Sequence, residues 1–243
     1  LVAEMDLLKL PWNADQSGPK GSIAQKMFGA VADSEVFVTP MAAVAGAVAD
    51  EMLETMLVEA KKPDSCIDHL RKIYVNNGGD IAFWLNEGES FSIGVVDNPQ
   101  IPELNAKVSL AHESQVRGIA TSGWRGRSLS LGIADAVTVL AKSAAVADVA
   151  ATLIANEVIV DFTGIEKRPA SEVKDDSDLG MIPVTVVVPD LAEDKIYIAL
   201  EQGAKSARKF IKDGKITAAY LSLQKQTLVI ENDDKIERAI INN

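Results

Sequence analysis

The chain has one cysteine and two histidines in 243 residues. Cys66 alone cannot close an internal disulfide, and His69 and His112 form no Cys/His cluster with zinc spacing. Cys66 and His69 stand three apart on a predicted short helix, a spacing that suits a packed thiol beside a partly exposed imidazole. No run approaches the ~20 uninterrupted apolar residues that span a bilayer, and no secretory leader is visible, so the expected location is cytoplasmic. The first residue is Leu1 rather than methionine, which leaves open an incomplete N-terminus. Positive charge is scarce too: 24 Lys and Arg against 35 Asp and Glu give a net charge of -11. Such a chain repels a nucleic-acid backbone and an anionic membrane surface alike, so no nucleic acid and no membrane is expected as partner. A phosphate-bearing small molecule stays admissible, because local amide donors or a divalent ion can offset a net charge. A homo-oligomer is also left open.

What is present is ordinary globular material. At 47% hydrophobic content the chain can bury one large core or two small ones, and no linker or internal repeat divides it. It is read as a single domain over 1–243, with two closely joined lobes as the alternative. A helical opening over 1–10 leads through a Pro/Gly/Ser-rich loop to a short helix through Met27 and Val31. Thr39 and Pro40 mark the next helix start, after which Met41, Val44, Ala45, Val48, Met52, Leu53 and Met56 recur at helical spacing to about residue 60. The Ala/Gly-rich side of that helix admits a ligand or a second backbone at close range. Strands are predicted at 73–75, 81–85, 91–96, 108–110 and 136–141, in a largely antiparallel sheet. Asn76-Asn77-Gly78-Gly79-Asp80 is the turn between the first two, with residues that favour left-handed hairpin conformations. Beyond Asn156 the pattern predicts a strand at 158–162, an acidic loop at 166–180 and a buried strand at 182–188. An amphipathic helix at 194–212 closed by Gly214, then strands at 217–223 and 227–230, complete the reading. The fold class is α+β, a mixed or antiparallel sheet with helices packed on one side.

The residues with chemical potential concentrate between Gly118 and Asn156. Asp148 and Thr152 lie four apart in an Ala-rich helical run, so they project from one face as a carboxylate and a hydroxyl. Two oxygens suit a hard cation such as magnesium, which completes its octahedron with water or substrate phosphate. The same pair also suits an exposed acid beside a hydroxyl bonded back to its own helix. On that view, loss of the Asp148 side chain changes stability by less than ~0.5 kcal/mol. Thr121-Ser122-Gly123 ends a predicted strand, where hydroxyls, exposed amides and a missing Cβ suit phosphate or a ring, although a common turn looks the same. Arg125 and Arg127 follow, able to pair with a pyrophosphate or to stay solvated, with Trp124 as a stacking surface or a packing lid. Asp175, Asp176 and Asp178 look like a second cation site but lack the glycine and distal glutamate of a calcium loop, and a solvated acidic loop explains them equally.

Several of these segments resemble the ApbE family of flavin transferases. Thr121-Ser122-Gly123 is similar to that family's T-S-G turn, 136–141 to its S-V-T-V-V-A strand, and Ala147-Asp148-Val149-Ala150-Ala151-Thr152 to its A-D-A-x-A-T helix. Upstream, Val75-Asn76-Asn77-Gly78-Gly79-Asp80-Ile81 is similar to V-N-I-G-G-D-I, residues 91–99 to W-x-V-G-I-x-D-P, and 42–47 to G-G-I-A-K-G. Two elements differ: Gly46 replaces the lysine of I-A-K-G, and the H-I-I-D-P-x-x-G loop is absent, with 125–133 in its place. The whole chain looks more like a set of uncharacterised ApbE-like proteins than like the transferases. The resemblance implies an ApbE-like, T-fold-like architecture and a magnesium ion held by Asp148, Thr152 and the Ala45 carbonyl. It further implies FAD or FMN held near Asn77, Gly78, Gly79, Asp80, Thr121, Ser122, Gly123 and Arg125. Three functional readings remain open: a flavin-nucleotide binder with magnesium-dependent transferase or FAD pyrophosphatase activity, a non-catalytic binding or assembly module, and an enzyme of another heterocyclic cofactor such as a pterin.

Overall fold

The computed structural model describes residues 1–62, 69–97, 103–231 and 240–242. Cys66, and with it the Cys66–His69 spacing, lies outside the described residues, as do Asn98 and Pro99 of the 91–99 motif. A 3-10 turn, Val2–Glu4, and the single helical turn α1 (Met5–Leu8) open the chain, a shorter helix than the sequence predicts over 1–10. Helix α2 (Ser22–Val31) follows, and then a 3-10 turn, Pro40–Ala43, runs into α3 (Val44–Ala60). Pro40 occupies the first position of that turn, where its missing N–H costs nothing. Strands β1 (Lys72–Asn77) and β2 (Asp80–Leu85) form a hairpin whose register pairs Asn77 with Asp80 across a two-residue turn. Gly78 and Gly79 both adopt positive φ there, +72° and +113°, which side-chain-bearing residues adopt only under strain.

Strands β3 (Ser90–Val95), β4 (Ala106–Ala111), β5 (Gly118–Ser122) and β6 (Ala136–Ala141) come next, before α4 (Ala144–Glu157). Ser143 caps α4, its side chain accepting from the Val146 N–H at 3.3 Å. The C-terminal part holds β7 (Glu166–Pro169), α5 (Ala170–Val173), β8 (Pro183–Val187), α6 (Glu193–Lys212), β9 (Ile216–Leu223), β10 (Gln226–Glu231) and β11 (Ile240–Asn242). Helix α6 ends in paired bonds, Gly214 N–H to Ile211 C=O at 2.9 Å and Lys215 N–H to Phe210 C=O at 3.0 Å, which satisfy its last carbonyls.

The α+β class is what the structure shows. Six antiparallel strands in the order β1-β2-β5-β6-β9-β10 make the main sheet. Helices α3, α4 and α6 pack on one face of it, with Ile154, Leu200 and Leu221 fully or almost fully buried between them. On the other face a three-stranded sheet, β11-β4-β3, packs its Val95, Val108 and Leu110 against Phe83, Leu140 and Tyr220. Two expectations need correction. Residues 158–162 form no strand, because Val158 is drawn into the core as the chain leaves α4 and its carbonyl is used by the Ile133 N–H at 2.8 Å. Residues 166–180 are not simply a loop, since β7 pairs with β8 and α5 follows directly. Among the described residues no helix is long and apolar enough to cross a membrane.

Candidate functional site

The site begins where α3 crosses α4. A Cβ on Gly46 would overlap the backbone carbonyl of Ala144, so glycine is the residue that lets the two helix backbones touch. At this crossing each helix caps the other. The first N–H groups of any helix lack partners within it. Those of α4, on Ala144 and Ala145, donate to the two oxygens of Asp50 from α3 at 3.0 and 2.9 Å. In return Asp148 of α4 accepts from the Gly46 N–H at 3.0 Å, and the Ala45 N–H helps to stabilise its anion. A carboxylate is favoured at the positive end of a helix, so both contacts are attractive. Asp148 is therefore not the exposed acid read from the sequence. It is half-buried, and losing it would strip α3 of a cap.

The β1–β2 hairpin brings a second carboxylate to this point. The Asn77 side-chain amide donates to the Ala45 carbonyl at 3.1 Å, tying the turn to the start of α3. The charge of Asp80 reaches Asp148, and the carboxyl of each is raised by burial. The carboxyl of Asp80 is pushed up to about 6, with the Thr121 N–H and the Arg127 charge pulling the other way. That of Asp148 rises well above the usual carboxylate range, first through burial and then through the negative charge of Asp80. One Asp80 oxygen, Oδ1, is buried without any hydrogen-bond partner. A buried acid with one unsatisfied oxygen, close enough for its charge to act on a second, is an arrangement suited to a hard cation. Among the described residues no group of three or more His, Cys, Asp or Glu is placed to hold a metal, so neutral oxygens or ligand atoms would have to complete the shell.

The structure thus gathers Ala45, Asn77, Gly78, Gly79, Asp80, Thr121 and Asp148. Thr121 also bonds through its hydroxyl to that of Thr138 at 2.8 Å. Ser122 and Gly123 are buried and lead away toward Asp135, whose carbonyl lies where a Gly123 side chain would be. Arg125 is engaged at the same place: its Nε meets Asp135 Oδ1 at 2.6 Å and its guanidinium stacks 4.5 Å over Trp124, which itself donates to Asp135 at 3.1 Å. Trp124 is accordingly covered by Arg125 on that face.

Asp148 and Thr152 project together, with Ala45, into a cavity of about 970 Å³. One wall is apolar, with Phe37, Val38, Met41, Leu153 and Phe210, and lysines 174, 205, 209 and 215 stand among its polar lining. The hairpin turn and Thr121-Ser122-Gly123 do not line it, so Asp148 stands at the junction of the carboxylate pair and the open space. The acidic segment closes another side, where Asp176 is bound to Lys9 at 2.6 Å and Asp178 accepts from the Thr39 hydroxyl. These acids are used as clasps, and among the described residues no group of three or more acids is placed to hold a cation. Asp50, the α4 cap beside the site, is the neighbour that sequence reasoning missed; nothing local distinguishes it from its acidic neighbours in α3. Asp97, from the 91–99 motif, is buried instead under β9, its Oδ2 accepting from Tyr220 at 3.0 Å and Ser222 at 2.6 Å.

The sequence model of the family described as AbpE bacteria matches residues 1–237. Among curated proteins, a UPF0280 protein of Methanobrevibacter smithii is 36% identical over 150 residues, 61% of this chain and 57% of that one. A UPF0280 protein of Methanopyrus kandleri is 34% identical over 151 residues, 62% and 56% of the two chains. One of Methanocaldococcus jannaschii is 33% identical over 128 residues, 52% and 48%. The matched region spans about half the length of these curated relatives.

Proposed function

The chain belongs to the family described as AbpE bacteria, and from that premise we propose that it is an ApbE-related protein binding a pyrophosphate-bearing nucleotide, FAD before others, with a magnesium ion at the Asp80–Asp148 pair. The observation that carries this reading is the pair itself: two carboxylates raised by burial, Asp148 further by the charge of Asp80, with one Asp80 oxygen unpartnered and Asp148 lining a large cavity. Thr152 and the Ala45 carbonyl are the neutral oxygens of the proposed set, and both belong to residues lining the same cavity. When bound, the ion would neutralise the pyrophosphate and polarise it as a Lewis acid. The residues of the chain supply the rest. The first-turn N–H groups of α3 orient Asp148, and Asn77 fixes the hairpin that carries Asp80. The apolar wall offers a surface for a heteroaromatic body.

The departures from the transferases shape the expected chemistry. Gly46, at the place of the family's lysine, is pressed on the Ala144 backbone, so no lysine side chain fits there without separating the helices. The histidine-aspartate loop is also replaced. We therefore expect slow hydrolysis of FAD without efficient attachment of FMN to an acceptor threonine. Incubation with FAD, magnesium and a flavinylatable acceptor, followed by chromatography of the nucleotides and mass spectrometry of the acceptor, tests it. Robust FMN attachment would overturn the weight placed on the missing elements. Binding with no turnover would favour the second reading, a non-catalytic binding module, which the same two losses support.

A further inference from the structure

We propose that Arg127 is the guanidinium that meets the ligand's phosphate when a cation binds; the inference rests on the nucleotide-binding reading above. Residues 124–133 connect β5 to β6 and are braced at both ends. At the start, the Trp124 N–H bonds to the Ala134 carbonyl at 3.0 Å, the Gly126 N–H to the Gly123 carbonyl at 3.1 Å, and Arg125 pairs with Asp135. At the end, the Leu131 N–H donates to Asn156 Oδ1 at 2.9 Å, the Thr185 N–H to the Ser130 carbonyl at 2.8 Å, and Lys167 Nζ to the Leu131 carbonyl at 2.6 Å. Between these anchors Arg127 is exposed, and its guanidinium lies over Gly78, in the space a side chain there would fill.

Position and charge make this placement informative. The Arg127 charge acts on Asp80, while the next two residues, Ser128 and Leu129, line the cavity. Arg127 thus stands at the seam between the carboxylate pair and the ligand space. Arg125, the neighbouring guanidinium, is already committed to Asp135 and Trp124. An anionic ligand approaching a chain of net charge -11 needs local countercharge, and a planar guanidinium binds phosphate oxygens two at a time. A divalent ion at Asp80 and Asp148 would add a like charge near Arg127, and a phosphate beside that ion would give Arg127 a partner. Arg127 therefore links cation binding to phosphate binding.

The test uses Arg127→Gln and Arg127→Lys in the full chain. Manganese binding is read by electron paramagnetic resonance without ligand, and inorganic pyrophosphate binding by calorimetry with manganese present. Removing the like charge should tighten manganese binding several-fold in Arg127→Gln. The same variant should lose about 10-fold in pyrophosphate affinity, the size of one charge-assisted contact, with partial recovery in Arg127→Lys. A residue that merely buttresses Gly78 would not move the two affinities in opposite directions. Unchanged pyrophosphate affinity, or equal weakening of both, overturns the assignment. Wild-type protein that binds manganese but no pyrophosphate overturns it while sparing the cation site, and wild-type protein that binds neither overturns both readings.

Discussion

Asp80→Asn should make the metal-free protein more stable at neutral pH, even though it removes a residue of the proposed site. The folded structure raises the Asp80 carboxyl from 3.8 to about 6, mainly through burial. Each tenfold tightening of proton binding corresponds to ~1.4 kcal/mol, so the ionised side chain costs the fold at most about 3 kcal/mol. Asp80 is not wholly sealed from solvent, and screening brings the expected effect to about 1–2 kcal/mol. The folded value is the higher one, so between 3.8 and about 6 the folded state binds more protons than the unfolded chain. Its stability contribution is present at the acid side of that window and is lost as pH rises through it. Asparagine keeps an oxygen to accept from the Thr121 N–H and never ionises. It also relieves Asp148 of a neighbouring negative charge, which acts in the same direction. Urea unfolding in EDTA at pH 7.5 and pH 4.5, for wild type and variant, separates the effect from other titrating groups. The variant should gain about 1–2 kcal/mol at pH 7.5 and much less at pH 4.5. A variant that is less stable at pH 7.5, or equally advantaged at both pH values, would refute the reasoning.

Gly46→Ala should be among the most damaging small substitutions, because the added carbon meets backbone of α4 rather than a movable side chain; a loss of about 2–3 kcal/mol or more in thermal or urea unfolding is expected, and a loss under ~0.5 kcal/mol would contradict the crossing geometry. Asp50→Ala leaves the Ala144 and Ala145 N–H groups without their carboxylate and should cost about 1–2 kcal/mol, with Asp50→Asn recovering part of it in the same assay. Gly78→Ala should cost about 1 kcal/mol or more for its φ of +72° and should also displace Arg127, so its pyrophosphate affinity should fall along with its unfolding midpoint.

What could be read from the sequence was local. The Asn-Asn-Gly-Gly-Asp run specifies a hairpin because two consecutive positive-φ positions leave few alternatives, and the hairpin is there. Helical spacing placed Asp148 and Thr152 on one face, and both reach the same cavity. The misreadings come from long-range packing. Asp148 looks like a surface acid in an Ala-rich helix until α3 lies across it, and the reciprocal caps join positions about a hundred residues apart. Nor does an apolar run such as 158–162 reveal whether a strand is free to pair with it; here the core takes Val158 and the ladder forms elsewhere. Arg125 and Arg127 are nearly equivalent in sequence, and only the position of Asp135 and Gly78 in space tells them apart.

Calorimetric titration of FAD into wild type and Asp148→Asn, with and without magnesium at pH 8, tests the central claim most directly. The pH lies above the value of about 6 for the Asp80 carboxyl, and circular dichroism checks that the variant is folded. The carboxylate-pair account predicts FAD binding at least ~10-fold tighter with magnesium in the wild type, and no such difference in the variant. Equal FAD affinity in the wild type with and without magnesium would contradict it.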